Sequence, residues 1–245
     1  MIDSVRTYCI VEGADDLIAF LQRVFDAELV ARFPTPDEKV MHAEMRVGDS
    51  TLELADAGGE WKPLAPPQHV YVDDVDAVYR RALEAGARSL YEPVEQPYGD
   101  REAGVVDRRS IQWFLGTHRG DGGPRRPGFA TLTAALRVRG LAAAIDFLGR
   151  AFDATVVSST RENSINHAEI RIGQTLIEVS EAREPWDPTR GAFHVFASDC
   201  DAVYGAALRA GATTLSEPED KPYGERSGGV TDAWGHQWYI ATPLG

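Results

Sequence analysis

The chain has 245 residues, a formal net charge of −13 and a pI near 4.9, with 43% hydrophobic and 26% charged residues. That acidic balance argues against nucleic acid or anionic membrane as general partners, because both recruit a basic face. The length suits one large domain or two of about 120 residues. Two cysteines at non-equivalent places, Cys9 and Cys200, exclude a disulfide scaffold or a cysteine-rich metal centre and suit a reducing compartment. No apolar run approaches the roughly 20 residues of a membrane span. The start, MIDSVRTYCIV, lacks a basic region followed by an apolar core, so a cytoplasmic location is expected.

In chain order, TYCIVE reads as an extended run. Leu17, Phe20, Leu21, Val24 and Phe25 then fall on one face of a helix. Strands follow at about 28–33, 38–47 and 50–55, then a Pro-rich loop and a further strand at HVYV. A second helix carries Val75, Val78, Tyr79, Ala82 and Leu83 on one face, with Asp73 or Asp74 to cap its start and Gly86 to end it. Three short strands close the half. The reading is β-α-β-β-β, twice.

The second half repeats the first. EPVEQPYGDREAGVVDRRSIQWFLGT (92–117) and EPEDKPYGERSGGVTDAWGHQWYIAT (217–242) share 12 of 26 positions, and HAEMRVGDSTLEL (42–54) matches HAEIRIGQTLIEV (167–179). Between the halves, HRGDGGPRRPG (118–128) has the composition of a linker, and His118 within it needs no function. The expected organisation is a first module at 1–117, the linker 118–128 and a second module at 129–245. The whole is an α+β chain of four βαβββ units, each module a cupped mixed sheet with helices outside.

Alternation along the strands separates two faces. Met41, Ala43, Met45 and Val47 oppose His42, Glu44 and Arg46; Ala168, Ile170 and Ile172 oppose His167, Glu169 and Arg171. Glu53 and Glu178 alternate with apolar residues in the same way. His69 and Tyr71 share a face, as do His194 and Phe196; Gln112 and Phe114 share another, as do Gln237 and Tyr239, with Trp113 and Trp238 behind them in the core. Tyr98 and Tyr223 sit in PYGDR and PYGER turns. These sixteen residues (His42, Glu44, Glu53, His69, Tyr71, Tyr98, Gln112, Phe114 and their partners His167, Glu169, Glu178, His194, Phe196, Tyr223, Gln237, Tyr239) form the expected ligand-binding set. Its mixture of carboxylates, imidazoles, an amide and rings suits a small organic molecule with polar handles. Arg101 and Arg226 read as turn staples. Arg108, Arg109 and Ser110, standing where the second half has a turn around Gly235, suggest that the first half has diverged further.

The paired units, the helix VDAVYRRALEAGA and the closing PYGDR…GVVD…QWFLGT resemble the vicinal oxygen chelate superfamily of glyoxalase I, bleomycin-resistance proteins and extradiol dioxygenases, with HAEIRIG and PYGERSGGVTDAWGHQWYIAT most like its PhnB-like branch. The resemblance implies a small-molecule binder, or a lyase, isomerase or dioxygenase working through a Glu/His pair. It also implies a divalent metal held by residues of the first, fourth, fifth and eighth strands of a module. Those positions fall on Glu53 and His69, and on Glu178 and His194, but also near Arg6 and Thr133, and on Phe114 and Tyr239. An arginine and a phenylalanine are not metal ligands, so no obligatory metal or other cofactor is expected; the alternative is a divalent metal on the Glu/His pair, with His42 or His167 of the adjacent strand as third ligand. Two modules in one chain suit a monomer with pseudo-two-fold symmetry, or a homodimer.

Overall fold

The computed structural model describes residues 1–245 apart from 60, 163 and 245, and side chains apart from those of 161–165. Four βαβββ units follow one another. The first is β1 (Ile2–Val11), α1 (Ala14–Phe25), β2 (Glu28–Pro34), β3 (Val40–Val47) and β4 (Ser50–Asp56). The second is β5 (Gln68–Tyr71), α2 (Val75–Glu84), β6 (Arg88–Glu95), β7 (Asp100–Val106) and β8 (Gln112–His118). The third is β9 (Leu132–Val138), α3 (Leu141–Phe152), β10 (Thr155–Glu162), β11 (Ser164–Ile172) and β12 (Thr175–Glu181). The fourth is β13 (Ala192–Ala197), α4 (Cys200–Ala210), β14 (Thr213–Lys221), β15 (Glu225–Thr231) and β16 (Gln237–Pro243).

The hydrogen-bonded strand order is β14-β15-β16-β13-β1-β4-β3-β2 in one eight-stranded sheet and β10-β11-β12-β9-β5-β8-β7-β6 in the other. The chain also groups into two compact units, Tyr8–Ala134 and Met1–Thr7 with Ala135–Gly245. Their boundaries run through β1 and β9, not through 118–128.

In the unit Tyr8–Ala134, one apolar core draws on α1, α2 and both of its strand ladders. Leu17, Leu21 and Val24 are fully buried, and Phe20 and Phe25 pack on Trp113 with ring centroids 6.0 and 5.2 Å apart. Each such side chain contributes about 1.5–3 kcal/mol of transfer free energy. On β3 Ala43, Met45 and Val47 face this core as expected, but Met41 is 57% exposed. The reason is a break in register: Phe33 pairs with His42 and Pro34 with Val40, so Met41 is the extra residue of a bulge and Val40 takes its place in the core.

Helix starts are fixed by carboxylates. Asp74 accepts from Ala77 N (3.0 Å) and Asp199 from Ala202 N (2.9 Å). α1 and α3 instead begin after left-handed glycines, Gly13 and Gly140, and are capped from a distant strand end. Asp56 accepts from Gly13 N and Ala14 N (3.0 and 2.9 Å), and Glu181 from Gly140 N and Leu141 N (2.8 and 2.7 Å).

Buried Asp107 and Asp232 organise equivalent turns. Asp107 accepts from Arg109 N, Ile111 N and Trp113 Nε1; Asp232 accepts from Trp234 N, His236 N and Trp238 Nε1. Burial pushes the Asp107 carboxyl up, against these donors. The turn at Arg108–Ser110 has not lost its role. Arg109 Nε donates to Glu12 O and Gly13 O (3.1 and 3.0 Å), and at the matching position Trp234 Nε1 donates to Arg139 O (2.8 Å). Both residues tie the turn to the residues that begin a helix.

Two predictions follow from close packing and burial. Gly173 has φ +55°, and a Cβ there would stand 2.3 Å from the Asp3 carbonyl oxygen. Gly173→Ala should cost at least about 2 kcal/mol in urea denaturation, through strain and a clash with backbone. His236, 2% exposed, accepts from Gly191 N at Nδ1 (3.0 Å), and burial holds its pKa below the ordinary imidazole value. The unfolded chain then binds the extra proton first, so this contribution is present above about pH 6.5 and is lost as pH falls below it. Denaturation midpoints between pH 7.5 and 5.5 should fall more steeply for the natural protein than for His236→Ile, the residue found at the matching position 111.

Candidate ligand-binding site

In the unit Tyr8–Ala134 the polar strand faces gather two clusters. On β3 and β4, Glu44 and Glu53 are direct cross-strand partners, and His42 Nε2 lies 3.8 Å from Glu44 Oε1. Glu53 is buried, 1% exposed, while His42 and Glu44 are half-buried. Tyr8 and Phe33 flank the imidazole, with centroids 5.8 and 6.2 Å away.

The second cluster stands on β5, β7 and β8. His69, buried, lies 3.9 Å through Nε2 from Glu102 Oε2 and packs on Tyr71 at 4.6 Å. Glu102 accepts the hydroxyls of Tyr91 and of Tyr98 (3.0 Å). Burial and the Glu102 charge push the Tyr91 phenol up, so it stays protonated and donating. Phe114 stacks on Tyr91 at 6.4 Å, and Phe129 closes on Tyr71 at 5.6 Å. Beneath the rings, fully buried Asp100 accepts from Tyr71 OH (2.8 Å) and pairs with His118 Nδ1 (2.6 Å). A half-open cavity of about 430 Å³ adjoins them, lined by Tyr71, Asp73, Arg125, Arg126, Phe129 and Thr131 among others.

The other unit repeats the pattern with changes. Glu169 and Glu178, both buried, are cross-strand partners, and His167 Nε2 lies 3.7 Å from Glu178 Oε1. His194 Nε2 lies 3.9 Å from Glu225 Oε2 and stacks on Phe196 at 4.2 Å, whose other contacts include the Arg6 guanidinium at 4.7 Å. Tyr239 OH donates to Gln237 Oε1 (2.7 Å).

The structure thus collects most of the expected residues, but not in the expected pairs. Glu53 on β4 and His69 on β5 lie in different sheets, as do Glu178 on β12 and His194 on β13. Tyr98 and Tyr223 are 50% and 68% exposed, at the rim, and Gln112 is half-buried on β8. Arg101 and Arg226 are staples: each holds the first-turn aspartate of a helix, Asp76 or Asp201, in a bidentate pair. His118 is a strand residue bound to Asp100, a correction to its reading as linker. Glu102 and Glu225 were not singled out by sequence. Their signal was there: Ala103 and Val105 alternate with Glu102 and Gly104, and a strand glycine marks close approach. Tyr91 fills the space a Gly104 Cβ would take (2.5 Å), and His69 Nε2 that of Gly116 (2.8 Å).

Residues 3–113 and 131–240 both match the family model described as the glyoxalase/bleomycin resistance protein/dioxygenase superfamily. The chain belongs to that superfamily. An uncharacterized protein of Mycobacterium bovis is 35% identical over 126 residues, covering 46% of this chain and 82% of its own length. An uncharacterized Mycobacterium tuberculosis protein matches equally, over 73% of its length. Glyoxalase I of Zea mays has a TM-score of 0.74 at 18% identity, covering 98% of this chain and 93% of its own; a putative dioxygenase of Bacillus subtilis reaches 0.62 at 12%, covering 97% and 84%. At these identities the likeness shows the fold alone. Among the described residues no helix is long and apolar enough to cross a membrane.

The metal that the superfamily implies does not fit the aligned positions within either half. Phe114, at the eighth-strand position, is stacked on Tyr91; Arg6, near the first-strand position, lies over Phe196; and the fourth- and fifth-strand residues of one half stand in separate sheets.

The packing of His69 generates a prediction. Gly116→Ala must displace the His69 ring, because its Cβ would meet Nε2 at 2.8 Å. The His69 imidazole resonances should shift in a ¹H–¹⁵N long-range spectrum, while the other five histidines hold their positions.

Proposed function

We propose that this member of the superfamily binds a small organic molecule with a polar handle, without an obligatory metal. One observation carries the reading. Each fifth-strand histidine faces a carboxylate beside an aromatic ring, yet the two carboxylates come from non-equivalent positions. His69 has Glu102, whose counterpart is Ser227; His194 has Glu225, whose counterpart is Asp100. A pair kept by different residues in two diverged halves points to use at the site. A merely solvated strand face does not need it. Imidazole and carboxylate supply donor and acceptor, and Tyr71, Phe129 and Phe196 supply flat apolar walls.

A second reading, an acid–base enzyme of the same superfamily, is favoured by Glu102. A carboxylate that accepts two phenol protons beside an imidazole is suited to holding or moving a proton next to a carbonyl.

Calorimetry in EDTA tests the first reading, with bleomycin, the methylglyoxal–glutathione hemithioacetal and catechol as probes for the superfamily's three named activities. At least one should bind below millimolar, with tenfold or greater weakening in His69→Ala or His194→Ala. No heat from any probe at millimolar concentration would count against it. Turnover of a bound probe that Glu102→Gln abolishes, with binding retained, would select the second reading.

A further inference from the structure

We infer that His42, Glu44 and Glu53 form a divalent-cation site on the β3–β4 hairpin. It is separate from the His69 cluster and shares only Glu53 with the four-strand set that the superfamily implies. One ligand atom from each residue lies within 4.8 Å of the other two. Three donors around a tetrahedral ion at about 2.1 Å stand roughly 3.4 Å apart, so small side-chain rotations close the set. The backbone favours this convergence. Glu44 and Glu53 are directly opposed across the ladder, on the face away from Ala43, Met45 and Leu52.

The charges argue the same way. Glu44 and Glu53 stand directly opposed across the ladder, with Glu53 1% exposed. A dication between two such carboxylates is attracted to both. One imidazole nitrogen and two carboxylate oxygens suit Zn²⁺, Co²⁺ or Mn²⁺ better than Ca²⁺ or Mg²⁺, which prefer oxygen alone. Three protein donors leave a position for water or for a ligand oxygen.

The matching hairpin β11–β12 repeats this only in part: His167 Nε2 stands 3.7 Å from Glu178 Oε1, and Glu178 is opposed to Glu169, but these three donors do not converge as His42, Glu44 and Glu53 do. The inference does not rest on the proposed small-molecule function, since none of these residues belongs to the His69 or His194 pair.

The test uses the full chain, stripped with EDTA and dialysed. Co²⁺ is followed by its visible ligand-field absorbance and Zn²⁺ by calorimetry. The natural protein should take one equivalent at micromolar or tighter affinity, which His42→Ala removes and His167→Ala leaves in place. Glu44→Gln, a near-isosteric change at a half-buried position, should weaken that equivalent tenfold or more with an unchanged circular dichroism spectrum. It is overturned by no Zn²⁺ heat and no Co²⁺ absorbance at 1 mM metal, or by a stoichiometry that His42→Ala and Glu44→Gln leave unchanged.

Discussion

A sheet whose one face is covered by helices has to collect its polar side chains on the other. That constraint organises each compact unit. Ala43, Met45, Leu52, Leu54, Val105 and Trp113 go to the core with α1 and α2, so His42, Glu44, Glu53 and Glu102 are set on the opposite faces. Period-two geometry leaves them no third choice. The polar clusters are therefore a direct result of building the core from strands.

The two halves show which features the fold requires in kind and not in identity. Asp56 and Glu181 cap a helix from the same strand end with different side-chain lengths. Arg109 and Trp234 hold the same turn to a helix start through a guanidinium in one case and an indole in the other. In both, a backbone group at a helix start needs a partner, and any side chain of suitable reach and polarity serves. Glu102 and Glu225 follow the same logic at the histidines: each places a carboxylate 3.9 Å from an imidazole from a non-equivalent position. The aspartates behind Trp113 and Trp238, by contrast, are kept in identity, because one carboxylate must accept from two backbone amides and an indole at once.

Much of this was legible in the sequence. The four units, the amphipathic helices, the buried tryptophans and the faces bearing His42, His69, His167 and His194 all follow from spacing, because periodicity and burial are local consequences of chain geometry. Met41 shows the limit: alternation assigns it to the core, and a bulge opposite Phe33–Pro34 puts it in solvent. Glu102 and Glu225 show another. Alternation puts Glu102 on the polar face of its strand, but it does not say whether that carboxylate meets an imidazole or water.

The chain by itself determined which residues share a face, because the direction of each Cβ is set by the backbone of its own strand. It also carried the resemblance to the superfamily, through motifs such as HAEIRIG and PYGERSGGVTDAWGHQWYIAT, and the family model matches both halves. Only the tertiary structure decided which faces meet. Sheet order places β4 and β5, adjacent in sequence, in separate sheets, and so parts Glu53 from His69 while gathering Glu53 with His42 and Glu44, and His69 with Glu102. Strand pairing is a long-range choice, settled by the burial of whole units and not by the residues that end up side by side.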